Sequence, residues 1–83
     1  MNIKVYVEVT TVFTSDGRMI PKSVRWEDGK EYIIDKVKDC RRVASLKAGG
    51  VGDRYTCLIQ GFEKHLYYEG NNMWFMERAV VQS

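Results

Sequence analysis

Apolar Ile3, Val5, Val7 and Val9 alternate with Lys4, Tyr6, Glu8 and Thr10. A period of two sends successive side chains to opposite faces of an extended strand, so one face of this strand is expected to be buried. The alternation loses its phase at Thr11-Val12-Phe13, which predicts a bulge or the end of the strand. Ser15-Asp16-Gly17 supplies turn residues, and Pro21 suits the start of a short strand over Lys22–Trp26, where its missing N–H is not needed. Glu27-Asp28-Gly29-Lys30 is the strongest hairpin signal in the chain, and Asp-Gly between Trp26 and Tyr32 predicts a tight type I′ turn. A third strand runs from Glu31 to about Lys38. Its adjacent Ile33 and Ile34 imply apolar surroundings on both faces.

Residues 36–48 read in two ways. KVKDCRRVASLKA continues the strand with a bulge, or it forms a short helix capped by Asp35, with Val37, Cys40, Val43 and Leu46 on one face and Gly49 as its stop. After the glycine-rich loop come Arg54–Gln60, Phe62–Glu69 and Met73–Val80, rich in aromatic and β-branched residues that fit a pleated surface. Gly61 and Gly70-Asn71-Asn72 punctuate them, because Gly and Asn tolerate the positive φ of tight hairpins. Short strands joined by turns predict one all-β, mainly antiparallel domain over 1–83. An SH3-like barrel or rolled sheet of five to six strands is the first architecture, and an OB-like barrel the second.

Composition narrows the class. Of the 83 residues, 45% are hydrophobic and 12% aromatic, enough to fold as a single small domain despite its high surface-to-volume ratio. The net charge of +2 is nearly balanced, so any affinity for nucleic acid must come from how the charges are placed. MNIKVYVEV lacks the basic start and apolar run of a secretory signal, and no apolar stretch approaches the ~18 residues of a membrane span. Cys40 and Cys57 form no C-x-x-C pair. A cytoplasmic protein with reduced thiols and no membrane partner is expected.

Four stretches invite chemistry. Gly49-Gly50-Val51-Gly52, between Lys47 and Arg54, offers backbone N–H groups to an anion, but it lacks the Lys-Ser/Thr and following helix of a P-loop. A mobile connection is the plainer reading. Lys36, Lys38, Arg41, Arg42, Lys47 and Arg54 outnumber Asp39 and Asp53, and form a candidate nucleic-acid face on which Lys36, Lys38 and Arg42 are expected to lie together. Tyr6, Tyr67 or Tyr68 would add stacking. Trp26, Tyr32 and Trp74, with Phe75, form a candidate protein-interaction groove, against the commoner role of such residues in a core. His65 and Cys57 are the material for catalysis, without an orienting third group. One histidine and two cysteines are poor zinc ligands, and nothing in the chain calls for a metal or another cofactor.

Pro21, Trp26, Gly29, Tyr32 and the YYEGNNMWFME segment, with SLKAGGVGDRYTC between, form a pattern that resembles a set of small bacterial proteins of unknown function. The resemblance covers Pro21 to Glu77. It implies a cytoplasmic bacterial protein with an SH3-like barrel, and carries over no catalytic or binding residue. The expected function is a non-enzymatic binding or accessory module, nucleic-acid-associated through the basic face. The alternative is a protein-interaction or self-association module, with a homodimer as one form, using the aromatic groove or an open strand edge.

Overall fold

Strand β1 (Asn2–Phe13) joins the two halves of the molecule. Its first part, Asn2–Val7, pairs with β7 (Met73–Ala79), and its second part, from Glu8 to Phe13, pairs with β2 (Met19–Arg25). The strand ends at Phe13, where the sequence loses its phase; the register shift between Thr10 and Thr11 puts the extra residue in β2, where Lys22 is unmatched between Pro21 and Ser23. The computed structural model describes residues 2–44 and 51–80. With β3 (Glu31–Ile33), β4 (Lys36–Ala44), β5 (Val51–Ile59) and β6 (Phe62–Gly70), the seven strands form one antiparallel sheet in the order β3-β2-β1-β7-β6-β5-β4. The sheet curls into a half-barrel, and no helix occurs among the described residues.

Among the described residues the count is seven strands, not five to six, because the expected strand from Glu31 breaks at Ile34-Asp35. There the Ile34 N–H donates to the Lys22 carbonyl (2.9 Å) and the Asp35 N–H to the Leu58 carbonyl (2.8 Å). One residue step therefore crosses from the β2 edge to β5. The helical alternative for 36–48 is corrected over Lys36–Ala44, which pairs with β5; residues 45–48 lie outside the described residues. A bulge between Val37 and Asp39 explains the ambiguity. Two strand residues opposite one on the partner put Val37 and Cys40, three apart, on the same face, which imitates helical spacing.

The concave face carries the core: Val24, Ile34, Tyr55, Cys57, Ile59, Leu66 and Trp74, with Val7, Val9, Met19 and Tyr68 packed against it. Tyr55 and Trp74 meet with ring centroids 5.3 Å apart, and Tyr68 and Trp74 at 4.8 Å. Such tilted aromatic pairs add to the gain from burial alone. Trp74 is therefore core, at 4% exposure, and takes no part in an open groove.

The turns explain the register. Gln60 and Gly61 (φ 53° and 80°), then Asn71 and Asn72 (53° and 61°), are two-residue turns with both central residues at positive φ. The Asp28-Gly29 turn differs from the expected type I′. Only Gly29 has positive φ (83°), Gly29 N–H donates to the Trp26 carbonyl and Trp26 N–H to the Lys30 carbonyl. That is a three-residue loop closed by a glycine bulge, and Thr14–Arg18 repeats it around Gly17. Pro21 lies inside β2 and not at its start, on the stretch that β3 does not cover, where its missing N–H interrupts no ladder to β3.

Leu66 has no exposed surface, so Leu66→Ala should lower unfolding free energy by about 2–5 kcal/mol in a denaturant titration. Gly52 has a different constraint, since a Cβ there would stand 2.7 Å from the Tyr68 carbonyl oxygen. Gly52→Ala should cost about 1–3 kcal/mol by overpacking; a neutral result would show that β5 and β6 separate easily at that point.

Candidate functional site

The basic stretch divides between the two faces of the sheet. The bulge at Lys38 places Arg41 on the outer, convex face, opposite Arg54, while Arg42 pairs in register with Asp53 on the other face. Lys36 and Lys38 thus share a face with Arg41, and not with Arg42. Acidic neighbours answer most of these charges. Lys38 meets Glu63 at 3.6 Å, Arg41 meets Asp39 at 3.5 Å, and Arg42 meets Asp53 at 3.3 Å. Such exposed pairs contribute little to stability, but they reduce the field that the stretch presents. Lys36 has no ion pair among the described residues. Lys47 and the Gly49-Gly50 part of the glycine loop lie outside the described residues, and Gly52 belongs to β5.

Next to Arg54 on the outer face runs an aromatic row. Register places Arg54 beside Tyr67, Tyr67 beside Phe75, and Phe75 beside Tyr6. Tyr67 stacks on Phe75 at 4.8 Å with 6° between the planes, and Tyr6 meets Phe75 edge-on at 6.1 Å. Lys4 lies over Phe75, its Nζ 4.8 Å from the ring centre, and bonds Glu69 at 3.1 Å. The Tyr6 hydroxyl donates to Glu69 at 2.7 Å. This cover leaves Phe75 only 3% exposed. Burial, together with the neighbouring Glu77 carboxylate, pushes the Tyr67 phenol up to about 12. Of the tyrosines considered for stacking, Tyr6 is open, Tyr67 is sealed and Tyr68 faces the core.

Trp26 and Tyr32 do come together. They line an open groove of about 390 Å³ with Val24, Ile59, Phe62 and Met76, rimmed by the polar Gln60, Lys64 and Glu77. The β2–β3 hairpin forms one wall and the β5–β6 turn the other. Tyr32 is oriented by its hydroxyl, which donates to Asp28 at 3.1 Å, and this hydrogen bond holds the phenol in its protonated form. Phe62 stands 67% exposed at the lip, although two-residue turns usually carry polar neighbours. Its place directly after Gly61 was the available sequence signal for this exposure.

His65 and Cys57 lie on opposite faces of the sheet. Cys57 is in the core, where burial pushes its thiol up to about 11, whereas His65 is exposed and opposite Thr56 on the outer face. Thr56 Oγ1 and His65 Nδ1 are 3.4 Å apart. A thiol held protonated and screened by the sheet gives the imidazole no nucleophile to activate. Among the described residues, no three His, Cys, Asp or Glu side chains converge as metal ligands, and no helix is long and apolar enough to cross a membrane. No protein-family model, curated protein or solved structure matches this chain.

The Lys4–Tyr6–Glu69 cluster gives a pH signature. Hydrogen bonds from Tyr6, then from Lys4, hold the Glu69 carboxyl below its ordinary 4.5, so its contribution is present above that pH and is lost as pH falls through the depressed folded value. The bond to Glu69 raises Lys4 above 10.5, so its contribution is present below that pH and fades as pH climbs through the raised folded value. Glu69→Gln should lower the melting temperature at neutral pH and make it less dependent on pH below about 4.5. Parallel acid profiles for the two proteins would remove this account.

Proposed function

We propose that the chain is a non-enzymatic binding module whose ligand is a protein segment seated in the Trp26–Tyr32 groove. The open aromatic groove with exposed Phe62 at its lip is the observation that carries the reading. Apolar walls with a few polar groups at the rim are the usual make-up of a recognition site, and buried aromatic anchors dominate binding energy. The ligand is an extended segment with one bulky apolar side chain, which enters between Trp26 and Phe62 while its backbone meets Gln60 and Lys64. A second copy of the chain is one such protein. The reading takes the half-barrel as SH3-like and its setting as the bacterial cytoplasm; the unpaired thiols of Cys40 and Cys57 support a reducing compartment.

Trp26 is the half-exposed tryptophan and Trp74 the buried one, so acrylamide quenching reports on the groove. Peptides selected from a displayed library against the wild-type chain should share a bulky apolar residue and shield Trp26 from acrylamide. Phe62→Ser should weaken them about tenfold, the effect of removing one anchor. Peptides that bind the Phe62→Ser variant equally well would refute the groove. Sedimentation of the wild type and this variant separates self-association from a foreign partner.

A second reading rests on Arg41 and Arg54, which face each other across β4 and β5. Like charges directly opposite are destabilising, so their pairing concentrates positive charge that an anion would relieve. With Lys36 and Lys38 on the same face, the anion is nucleic-acid phosphate. Fluorescence anisotropy with mixed-sequence single- and double-stranded oligonucleotides should then show binding that weakens steeply with salt and is reduced in a Lys36→Ala/Arg41→Ala variant. Absence of binding at low salt would leave these cations as a solvated face.

A further inference from the structure

A second opening lies where the half-barrel fails to close. The edge strands of the sheet are β3 and β4, but β3 covers only Ser23–Arg25 of β2. Among the described residues, the β2 segment Met19–Lys22 has β1 on one side and no strand on the other, and β4 has β5 alone. The two uncovered segments lie on either side of a cleft of about 610 Å³, which runs from Arg18–Lys22 to Lys36–Cys40. Tyr55 lies between them, and its hydroxyl donates to the Met19 carbonyl at 3.2 Å. A side chain thus satisfies a β2 carbonyl to which no strand comes. At its end the cleft stops at Ile34-Asp35, whose N–H groups bond both sides.

We propose that this cleft takes an acidic, extended peptide as an added strand that pairs with the free edge of β4 and lies along the β2 wall, where the Met19 and Lys22 carbonyls are already bonded and Pro21 has no N–H. Unpaired strand edges are templates for another strand, and main-chain hydrogen bonds supply most of the affinity in such additions. Five residues of strand rise roughly 17 Å, matching Lys36–Cys40 on the β4 side. Charge selects the occupant. Arg18, Lys22, Lys36 and Lys38 line the cleft against Asp35 and Asp39, and Asp35 is already engaged by the Gln60 N–H at 3.1 Å. Arg18 and Lys38 hold Asp16 and Glu63 through exposed pairs, which a peptide carboxylate can replace at little cost. Lys22 and Lys36 have no ion pair among the described residues. The cleft shares no lining residue with the Trp26 groove, so the inference stands apart from that reading.

The test is an NMR titration of the isotope-labelled full chain with a capped peptide of alternating glutamate and valine. Resonances of Met19, Ile20 and Lys22 on β2 and of Lys36–Cys40 on β4 should shift together, and amides of Lys36–Cys40 should exchange more slowly with solvent. Methylating alternate backbone nitrogens of the peptide should weaken binding about tenfold, as expected when main-chain donors are lost. The Lys22→Glu/Lys36→Glu variant, with both changes at exposed positions, should bind at least about tenfold more weakly, and a lysine–valine peptide should not compete. Its spectrum without peptide checks the fold, and the methylated peptide tests the wild type whatever that variant does. No shift at millimolar peptide, shifts on one edge only, or equal binding of the methylated peptide would overturn the proposal. Shifts confined to Trp26 and Tyr32 would also overturn it in favour of the groove, and cleft amides already protected in a concentration-dependent dimer would assign the cleft to a second copy.

Discussion

The half-barrel depends on the step from Ile34 to Asp35. β3 and β4 are the two ends of the sheet order, yet only these two residues separate them in the chain. A flat sheet of seven strands would hold its edges roughly 29 Å apart at ~4.8 Å per spacing, far beyond the reach of a two-residue link. The sheet must therefore curl until one edge can hand the chain to the other. The consecutive N–H groups of Ile34 and Asp35 record that transfer, one bonding the β2 carbonyl of Lys22 and the other the β5 carbonyl of Leu58. The Asp35 carboxylate adds a third tie by accepting from Gln60 N–H in the β5–β6 turn. Curling encloses the concave face, and Tyr55, Leu66 and Trp74 are buried because of it.

That dependence explains what was legible in the sequence. Features set by neighbours along the chain could be read: the alternation of β1, its end at Phe13, and the turns at Gly61 and Asn71-Asn72. The crossing at Ile34-Asp35 could not, because adjacent isoleucines look like one strand buried on both faces. In fact Ile34 is buried and Ile33 is 62% exposed on the edge strand. The bulge at Lys38 hid β4 in the same way. It changes a period of two into a local spacing of three, and no composition rule separates that from a helix. Turn type failed for a subtler reason: Asp-Gly suits both a two-residue loop and the last positions of a three-residue one.

The candidate site was legible as residue types and illegible as geometry. Trp26 and Tyr32 flank a hairpin, so their meeting followed from local order, while Trp74 came to the core through strand pairing that sequence alone does not reveal. The basic stretch suffered most. The acidic partners Asp53 and Glu63 arrive from other strands, and the bulge exchanged Arg41 for Arg42 on the outer face. Phe62 was read as a strand residue, yet its side chain forms the lip of the groove.

The three surfaces differ in how far the molecule has already satisfied them. On the convex face Lys4, Tyr6 and Glu69 seal Phe75, and carboxylates answer Lys38 and Arg41, so a ligand there must displace contacts that exist. The Trp26 groove offers uncovered apolar surface, whose burial is favourable in proportion to the area removed from water. The cleft between β2 and β4 offers something apolar burial cannot supply, the free backbone edge of β4. A strand that enters must match the spacing of that edge to gain from replacing its bonds to solvent. The crossing at Ile34-Asp35 holds the two edges in relation to each other at one end. The same two hydrogen bonds that make the fold therefore set the width of the cleft, and a change that loosens them would alter core and cleft together.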